Sequence, residues 1–240
     1  MKKQIILITL IALFATFLTP SLVSAHTKQA NVFVVHGING KDVDPNLDPS
    51  LPVDVSVNGQ CALPGFKFGE IVGALPFDAG EYEIAISLAN ADNPCAEPPV
   101  LGPITLPFEA GKSYSVVAHL TEDGQLTASL FTEDLSKVRP PKARVILHHT
   151  AAAPTVDITL LRGEKAKITI EDVSNGDQTA AKLYPGKWNV KIAPANTDTT
   201  VFETSIELKP RKVYLVYAVG SVTNGTFTLL SKSVYPWSPK

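Results

Sequence analysis

The feature that most constrains the fold of this 240-residue chain is an internal duplication. Four stretches of the first half recur in the same order in the second half, with apolar and aromatic residues at matching places. The pairs are residues 30–36 and 143–149, 53–55 and 156–158, 79–86 and 185–192, and 112–118 and 212–218. The duplication predicts two copies of one unit, each of about a hundred residues.

Within each copy, apolar and polar residues alternate at period two in short runs bounded by turn residues, which is typical of strands. Strands are predicted at residues 32–35, 53–57, 81–88, 113–119, 126–131, 145–148, 156–161, 167–171, 188–192, 204–208, 213–219 and 226–230. The segment from Val213 to Val219 is apolar on both faces, which predicts a central strand or one covered by the other copy. No long helix is predicted after the first 25 residues.

About seven short strands in a hundred residues is the usual content of a two-sheet sandwich. We therefore predict an all-β protein with two tandem immunoglobulin-like or transthyretin-like antiparallel β-sandwich domains. The first covers residues 26–134, and the second covers residues 143–240 and includes a C-terminal tail. Residues 135–142 form a short, stiff linker, because Pro140 and Pro141 interrupt the strand pattern there.

Residues 1–25 have the composition of a secretory signal peptide. Lys2 and Lys3 precede an uncharged run, and the segment 23–25 has the small residues of a cleavage site. An uncleaved membrane anchor is the alternative interpretation, but the uncharged run is short for a bilayer span. Cleavage predicts a secreted, periplasmic or cell-surface protein without a membrane span.

The expected export of the protein bears on the state of its two cysteines, Cys61 and Cys95. In an oxidising compartment an even number of cysteines favours a disulfide, and two buried free thiols are the alternative. We predict that the two cysteines pair.

Several of the repeated landmarks also carry a resemblance to a known family. They are the strand ending in Val35-His36, the Val53-Asp54-Val55 segment, the Phe68-Gly69 turn, Gly80-Glu81-Tyr82 and Gly111-Lys112-Ser113-Tyr114. The pattern resembles the DUF4397 family over nearly all of residues 30–235. The resemblance implies an exported or surface protein, commonly with tandem domains, and implies very little chemistry. The second copy lacks the Phe-Gly turn, and the first carries an insertion after His36.

The insertion, residues 38–50, places oxygen-bearing side chains at alternate positions, Asp42, Asp44, Asn46 and Asp48. This spacing is found in calcium-binding loops. The full EF-hand motif fails, because Leu47 stands where the loop needs glycine. The alternative is a solvated loop in which Asp and Asn cap their own backbone.

Histidine offers a second possible metal site. Cleavage after Ala25 would make His26 the mature N-terminus, where an amine and an imidazole together could chelate copper if His36 or His119 lay close. A frayed terminus is the alternative interpretation. His36 and His149 occupy matching strand ends, so we expect a repeated structural role, the donation of a hydrogen bond to a loop carbonyl.

The sequence has none of the common catalytic signatures, such as Gly-x-Ser-x-Gly, His-Glu-x-x-His or a phosphate-binding glycine loop. Asp54 and Asp157 could act as a carboxylate pair in a hydrolase, but only if a cleft brought the two domains together. We therefore expect no enzyme and no required cofactor, with calcium or copper as the open alternative.

These features favour a non-catalytic binding or adhesion module for an unknown protein or glycan at the cell surface. Its anchors would be the loop aromatics Phe66, Phe68, Tyr235 and Trp237, for which core packing is the alternative. A structural spacer or assembly subunit and a periplasmic metal-binding protein are the alternative functions. Nucleic acid is excluded as a partner, because a formal net charge of -2 lacks the basic surface that phosphates require.

Overall fold

The computed structural model describes residues 29–164 and 166–236. The predicted signal peptide, His26 and Trp237 lie outside the described residues. Everything that follows concerns the described part of the chain, which divides into a first lobe, residues 30–132, and a second lobe, residues 143–234.

The first lobe is a sandwich of two four-stranded sheets, ordered β4-β1-β7-β8 and β3-β2-β5-β6. Its elements are β1 Ala30–His36, α1 Gly40–Val43, β2 Val53–Val57, β3 Gln60–Phe66, β4 Ile71–Phe77, β5 Gly80–Leu88, β6 Pro99–Phe108, β7 Ser113–Leu120 and β8 Leu126–Thr132. The four-residue helix α1 begins the insertion.

The second lobe repeats this order, with each strand number raised by eight: β12-β9-β15-β16 and β11-β10-β13-β14. Its strands are β9 Ala143–His149, β10 Val156–Arg162, β11 Ala166–Val173, β12 Gln178–Leu183, β13 Gly186–Pro194, β14 Phe202–Leu208, β15 Val213–Val219 and β16 Thr228–Val234. The predicted all-β fold with two sandwiches is therefore confirmed. Antiparallel pairing dominates, but β1 with β7 and β9 with β15 are parallel.

The period-two pattern did not predict four of the strands: β3, β4, β6 and β12. All four lie at sheet edges. Three of them contain proline, which an edge strand tolerates because its outer backbone donors have no partner to lose. The fourth, β12, has two alanines among its six residues and lacks β-branched apolar residues. No described helix is long and apolar enough to cross a membrane.

The lobes pack together through the outer faces of their β1- and β9-containing sheets. Buried side chains from both lobes meet there in one cluster that includes Phe33, Val117, Ile146, Leu215 and Tyr217. This contact explains why β15 is apolar on both faces: it is a central strand whose outer face is covered by the first lobe. Both expectations for the 213–219 segment are confirmed.

The backbones of the two lobes approach closely at Gly37. A Cβ atom at this position would lie 2.8 Å from Val219 Cγ1 and 3.0 Å from the Ala118 carbonyl oxygen, so only glycine fits without movement. The Gly220 N–H donates to the Gly37 carbonyl at 3.2 Å. The segment between the lobes is also packed, since Leu135 and Val138 are buried in the cluster between them.

A disulfide fixes the first sandwich internally, and a tyrosine hydrogen bond recurs in both. The predicted disulfide between Cys61 and Cys95 is present and ties β3 to the loop between β5 and β6. Closing a loop of 34 residues stabilises the folded state by about 3–4 kcal/mol in the chain-entropy treatment. In both lobes a tyrosine hydroxyl accepts a hydrogen bond from the backbone five residues upstream, Tyr114 from Glu109 and Tyr214 from Lys209.

Candidate functional site

The acidic insertion is organised by turns. Asp44 Oδ1 accepts from the Asn46 backbone N–H at 2.7 Å, and Asp48 Oδ1 accepts from the Ser50 backbone N–H at 2.8 Å. The hydrogen bonds from the Ser50 backbone and hydroxyl lower the pKa of the exposed Asp48 carboxyl. These carboxylates therefore cap their own loop, as the turn interpretation of the sequence expects.

Asp42 has a different role, because it reaches the second lobe. Its carboxylate accepts from Thr226 Oγ1 at 2.7 Å and from Asn224 Nδ2 at 3.1 Å. Among the described residues, no group of three or more His, Cys, Asp and Glu side chains could hold a metal ion. The four candidate ligands of the insertion are thus not brought together around a common centre, and His26 lies outside the described residues.

The matching histidines have the expected structural role. His36 Nε2 lies 2.9 Å from the Leu51 carbonyl and His149 Nε2 lies 3.0 Å from the Pro154 carbonyl, so each ring donates to a loop. Burial lowers the pKa of both imidazoles, which are therefore neutral at pH 7. His119, also proposed as a copper ligand, is buried between the Leu120 carbonyl and the Ser129 hydroxyl.

Asp54 and Asp157, the candidate hydrolase pair, are also structural. Asp54 is buried and accepts backbone N–H groups from Gly65, Asn90 and Cys95. Burial alone would raise the pKa of Asp54, but these three donors hold it below its ordinary value. Asp157 accepts from the backbone at residues 172 and 196 of the second lobe. Each carboxylate therefore ties the end of an edge strand, β3 or β11, to the loop that follows β5 or β13.

A polar cluster that the sequence analysis missed lies between the lobes. We call it the interlobe cluster, and its members are Ser115, Glu133, His148, Gln178 and Tyr217. His148 Nε2 lies 2.9 Å from Glu133 Oε1, and both side chains are fully buried. Tyr217 OH lies 2.7 Å from Ser115 Oγ. Burial, and then the charge of Glu133, raise the pKa of Tyr217 well above its ordinary value, so its hydroxyl stays neutral.

The interlobe cluster contains residue types that enzymes use, but no substrate can reach it from solvent. Its sequence signal is the presence of polar side chains within strands that are otherwise buried throughout, such as Ser115 in β7 and His148 in β9. A buried polar group needs a partner, and here each lobe supplies partners to the other.

The interior of the first lobe contains a cavity of about 180 Å³ between its two sheets. The lining is apolar except for His36. It extends to the surface at Val43, Leu88 and Val100, which are 46%, 43% and 47% exposed. We call these three residues the apolar rim. The corresponding space in the second lobe is about 20 Å³.

One end of the second lobe has an exposed surface of tyrosine and lysine side chains. Tyr184 and Tyr235 are 51% and 76% exposed, and they follow the last residues of β12 and β16. Lys142 Nζ lies 5.2 Å from the Tyr184 ring centroid, and Lys212 Nζ lies 4.3 Å from that of Tyr235. These four residues, which precede β9 and β15 or follow β12 and β16, form what we call the aromatic end.

The predicted aromatic anchors are thus divided. Tyr235 is exposed, as a surface anchor requires. Phe66 is buried in the core of the first lobe, and Phe68 packs against the cluster of side chains between the lobes. Phe66 therefore fills a space inside the molecule, and Phe68 is partly buried. Trp237 lies outside the described residues, and Tyr184 was not among the predicted anchors.

Comparison with known proteins finds one family. The profile of DUF4397, a domain of unknown function, matches residues 30–159, which cover the first lobe and the beginning of the second. No curated protein matches the chain.

Some solved structures are similar to this chain at low identity and low TM-score. A candidate cell adhesion protein from Bacteroides ovatus is 12% identical, with 88% of this chain and 98% of that chain covered and a TM-score of 0.30. The carbohydrate-binding module CBMbc of Eubacterium rectale Amy13K, solved with maltoheptaose, is 11% identical, with 87% and 100% covered and a TM-score of 0.29. The Bacillus anthracis TIE protein is 10% identical, with 79% of this chain and 33% of that chain covered and a TM-score of 0.26, so this chain spans a third of its length. At these scores none of the three carries an argument about function.

Proposed function

This chain belongs to the DUF4397 domain family. From that premise we propose that it is a non-catalytic binding module that acts outside the cell. We propose further that it attaches to an acidic polysaccharide through the aromatic end. The observation that carries the proposal is the pair of exposed tyrosines, Tyr184 and Tyr235, each with a lysine ammonium group over its ring.

The chemistry of the aromatic end suits a sugar polymer with acidic groups. A tyrosine ring offers a broad apolar face for a sugar ring and a hydroxyl for its polar groups. Lys142 and Lys212 supply donors and positive charge for carboxylate or phosphate groups. The two tyrosines follow strands separated by three interstrand spacings, about 14 Å, which fits an extended ligand better than a small molecule.

The matching end of the first lobe differs. Asp78 occupies the place of Tyr184, since both stand two residues before the glycine that begins the next strand. A carboxylate there would repel an acidic polymer, so the proposal assigns the polymer to the second lobe alone.

Two observations support the proposed location outside the cell and the proposed lack of catalysis. The disulfide fits an oxidising compartment, in agreement with the signal sequence expected for residues 1–25. The interlobe cluster, which has the residue types of a catalytic site, is closed to substrates by the packing of the two lobes.

The test is binding of the mature protein to alginate, an acidic polysaccharide, with neutral dextran as the comparison. Affinity electrophoresis should show retardation by alginate that weakens with salt, because exposed charges are screened. The double variant Tyr184→Ala/Tyr235→Ala should lose at least tenfold in affinity, whereas Lys191→Ala, within β13 and opposite Glu203, should bind normally. Equal binding by the tyrosine variant, or no binding by the native protein, would overturn the proposal.

A structural spacer is the second candidate function. The buried cluster between the lobes favours it, because a large apolar interface holds two sandwiches in a fixed relation. Small-angle scattering that shows one fixed conformation, together with a failure to bind alginate, would favour the spacer. Metal binding by the insertion or by His26 stays a prediction, which elemental analysis of the mature protein tests.

A further inference from the structure

We propose that the first lobe binds the apolar end of a medium-length acyl chain in its central cavity. This activity goes beyond attachment to a polysaccharide, because it uses the other lobe and a different kind of surface. The lining of the cavity, its volume, its access to the surface and its near-absence from the second lobe all fit such a ligand.

The lining accepts only an apolar ligand. Apart from His36, every lining residue is aliphatic or aromatic and apolar. The two nitrogens of His36 are already engaged, since Nε2 donates to the Leu51 carbonyl and Nδ1 accepts from the Ile38 backbone N–H at 3.3 Å. A polar ligand group would lose its hydrogen bonds to water and find no partner inside, so the ligand must leave such a group outside.

The volume sets the size of the buried part. An apolar cavity of about 150 Å³ holds benzene and stays free of water when it is empty. The first-lobe cavity, at about 180 Å³, therefore accommodates a hydrocarbon segment of about six to eight carbon atoms.

The apolar rim gives the chain a path to this space. Val43, Leu88 and Val100 all line the cavity and are all substantially exposed, so apolar surface continues from the interior to solvent. Exposed apolar residues at the mouth of an apolar cavity are a feature of binding sites. A chain that enters here leaves its charged carboxylate in water outside the cavity.

The insertion is the part of the first lobe that the second lacks, and it supplies both Val43 and Leu47 to the lining. The cavity and its rim are therefore specific to one copy of the duplicated unit. The second lobe, with the same strand order and about 20 Å³ of space, offers a built-in comparison.

The test uses sodium octanoate as the probe and butyrate as the short-chain comparison, each titrated into the mature full-length protein below the micellar concentration. Octanoate should bind with a negative heat-capacity change and raise the melting temperature, and butyrate should do neither to a comparable degree. Val116 lines the cavity, and the substitution Val116→Phe should reduce octanoate affinity at least tenfold by occupying the space. The matched substitution Val216→Phe, in the second lobe, should leave the affinity unchanged.

A surface pair keeps the test independent of core packing. Leu88→Glu at the rim should weaken octanoate binding, while Val222→Glu, at an exposed valine of the second lobe, should not. Octanoate that binds no better than butyrate, or that binds Val116→Phe and Leu88→Glu as well as the native protein, would overturn the proposal. Because the Tyr184→Ala/Tyr235→Ala variant keeps the cavity, it should bind octanoate normally, so failure of the polysaccharide proposal and failure of this one are separable.

Discussion

The two lobes share one strand order and differ in how their interiors are filled. The second lobe has a packed core around Trp188, the largest fully buried side chain, whose Nε1 donates to the Tyr184 carbonyl at 2.8 Å. At the matching place the first lobe has Tyr82, which is only partly buried and donates to the Asp78 carbonyl at 3.0 Å. Both lobes have this hydrogen bond, but the aromatic side chain that donates it is larger in the second lobe.

Part of the first-lobe cavity is lined by residues smaller than their counterparts in the second lobe, although Phe66, Phe77 and Phe108 are larger than theirs. At three matched positions of the first two strands the second lobe has one more carbon atom: Leu147 for Val34, Ile158 for Val55 and Leu160 for Val57. An empty cavity costs about 24 cal/mol per Å³, so the 180 Å³ of the first lobe corresponds to about 4 kcal/mol of lost stability. One topology therefore tolerates either a solid or a hollow core.

The largest expected effect comes from separating the lobes at the interlobe cluster. Glu133→Ala removes the partner of His148 and leaves Ser115 without its carboxylate acceptor. Breaking a buried pair in this way should lower the free energy of unfolding by about 3–5 kcal/mol. Urea denaturation measures the change, with Glu83→Ala on the exposed surface as a control that should stay within about 0.5 kcal/mol of the native protein. A loss of less than 1 kcal/mol for Glu133→Ala would mean that the lobes do not depend on this cluster.

The next prediction compares the two cores by whether a larger side chain raises or lowers stability. Val216→Phe overfills the second lobe and should lower the free energy of unfolding by about 1–3 kcal/mol. Val116→Phe places the same added volume in the cavity of the first lobe and should raise the melting temperature, because it restores lost packing contacts. Denaturation of both variants in parallel is the measurement. Equal destabilisation by the two substitutions would contradict the difference between the cores.

The smallest effect concerns the matched histidines. Burial lowers the pKa of His36 and His149 in the folded protein below the value of 6.5 expected when unfolded. Between those two values the unfolded chain binds more protons, so stability is fully present above pH 6.5 and falls as the pH drops, by at most about 1.4 kcal/mol per pH unit for each histidine.

Substitution by glutamine separates the two histidines. His36→Gln and His149→Gln keep a donor for the loop carbonyl but do not titrate. Each should flatten the dependence of melting temperature on pH between 5 and 7 by a similar amount. A change in only one of the two variants would show that the matched positions are not equivalent.

The sequence predicts the central strands well and the edge strands poorly, for a physical reason. The bounds Val53–Val57 and Val213–Val219 agree with β2 and β15, because strands with buried residues need β-branched apolar side chains. The edge strand β6 contains three prolines and was not predicted, since proline removes the donors that central strands use.

Prediction of the candidate sites was more limited. Tyr235 could be singled out because it follows the last strand, and the disulfide because an even number of cysteines suggests pairing. The cavity could not be predicted, because it depends on small differences in volume between facing side chains. The pairing of Glu133 with His148 could not be predicted either, since these residues lie in different copies and meet only when the sandwiches dock.

The sheet edges of the two lobes also differ, with a consequence for self-association. Pro64 in β3 and three prolines in β6 deny an incoming strand from another molecule the N–H groups it would need. The edges β11 and β14 of the second lobe carry charges instead, among them Lys167, Glu171 and Glu203. Concentrated salt screens charge and leaves proline unaffected, so of these two matching sheets the one in the second lobe is the one whose edges salty surroundings would expose to pairing.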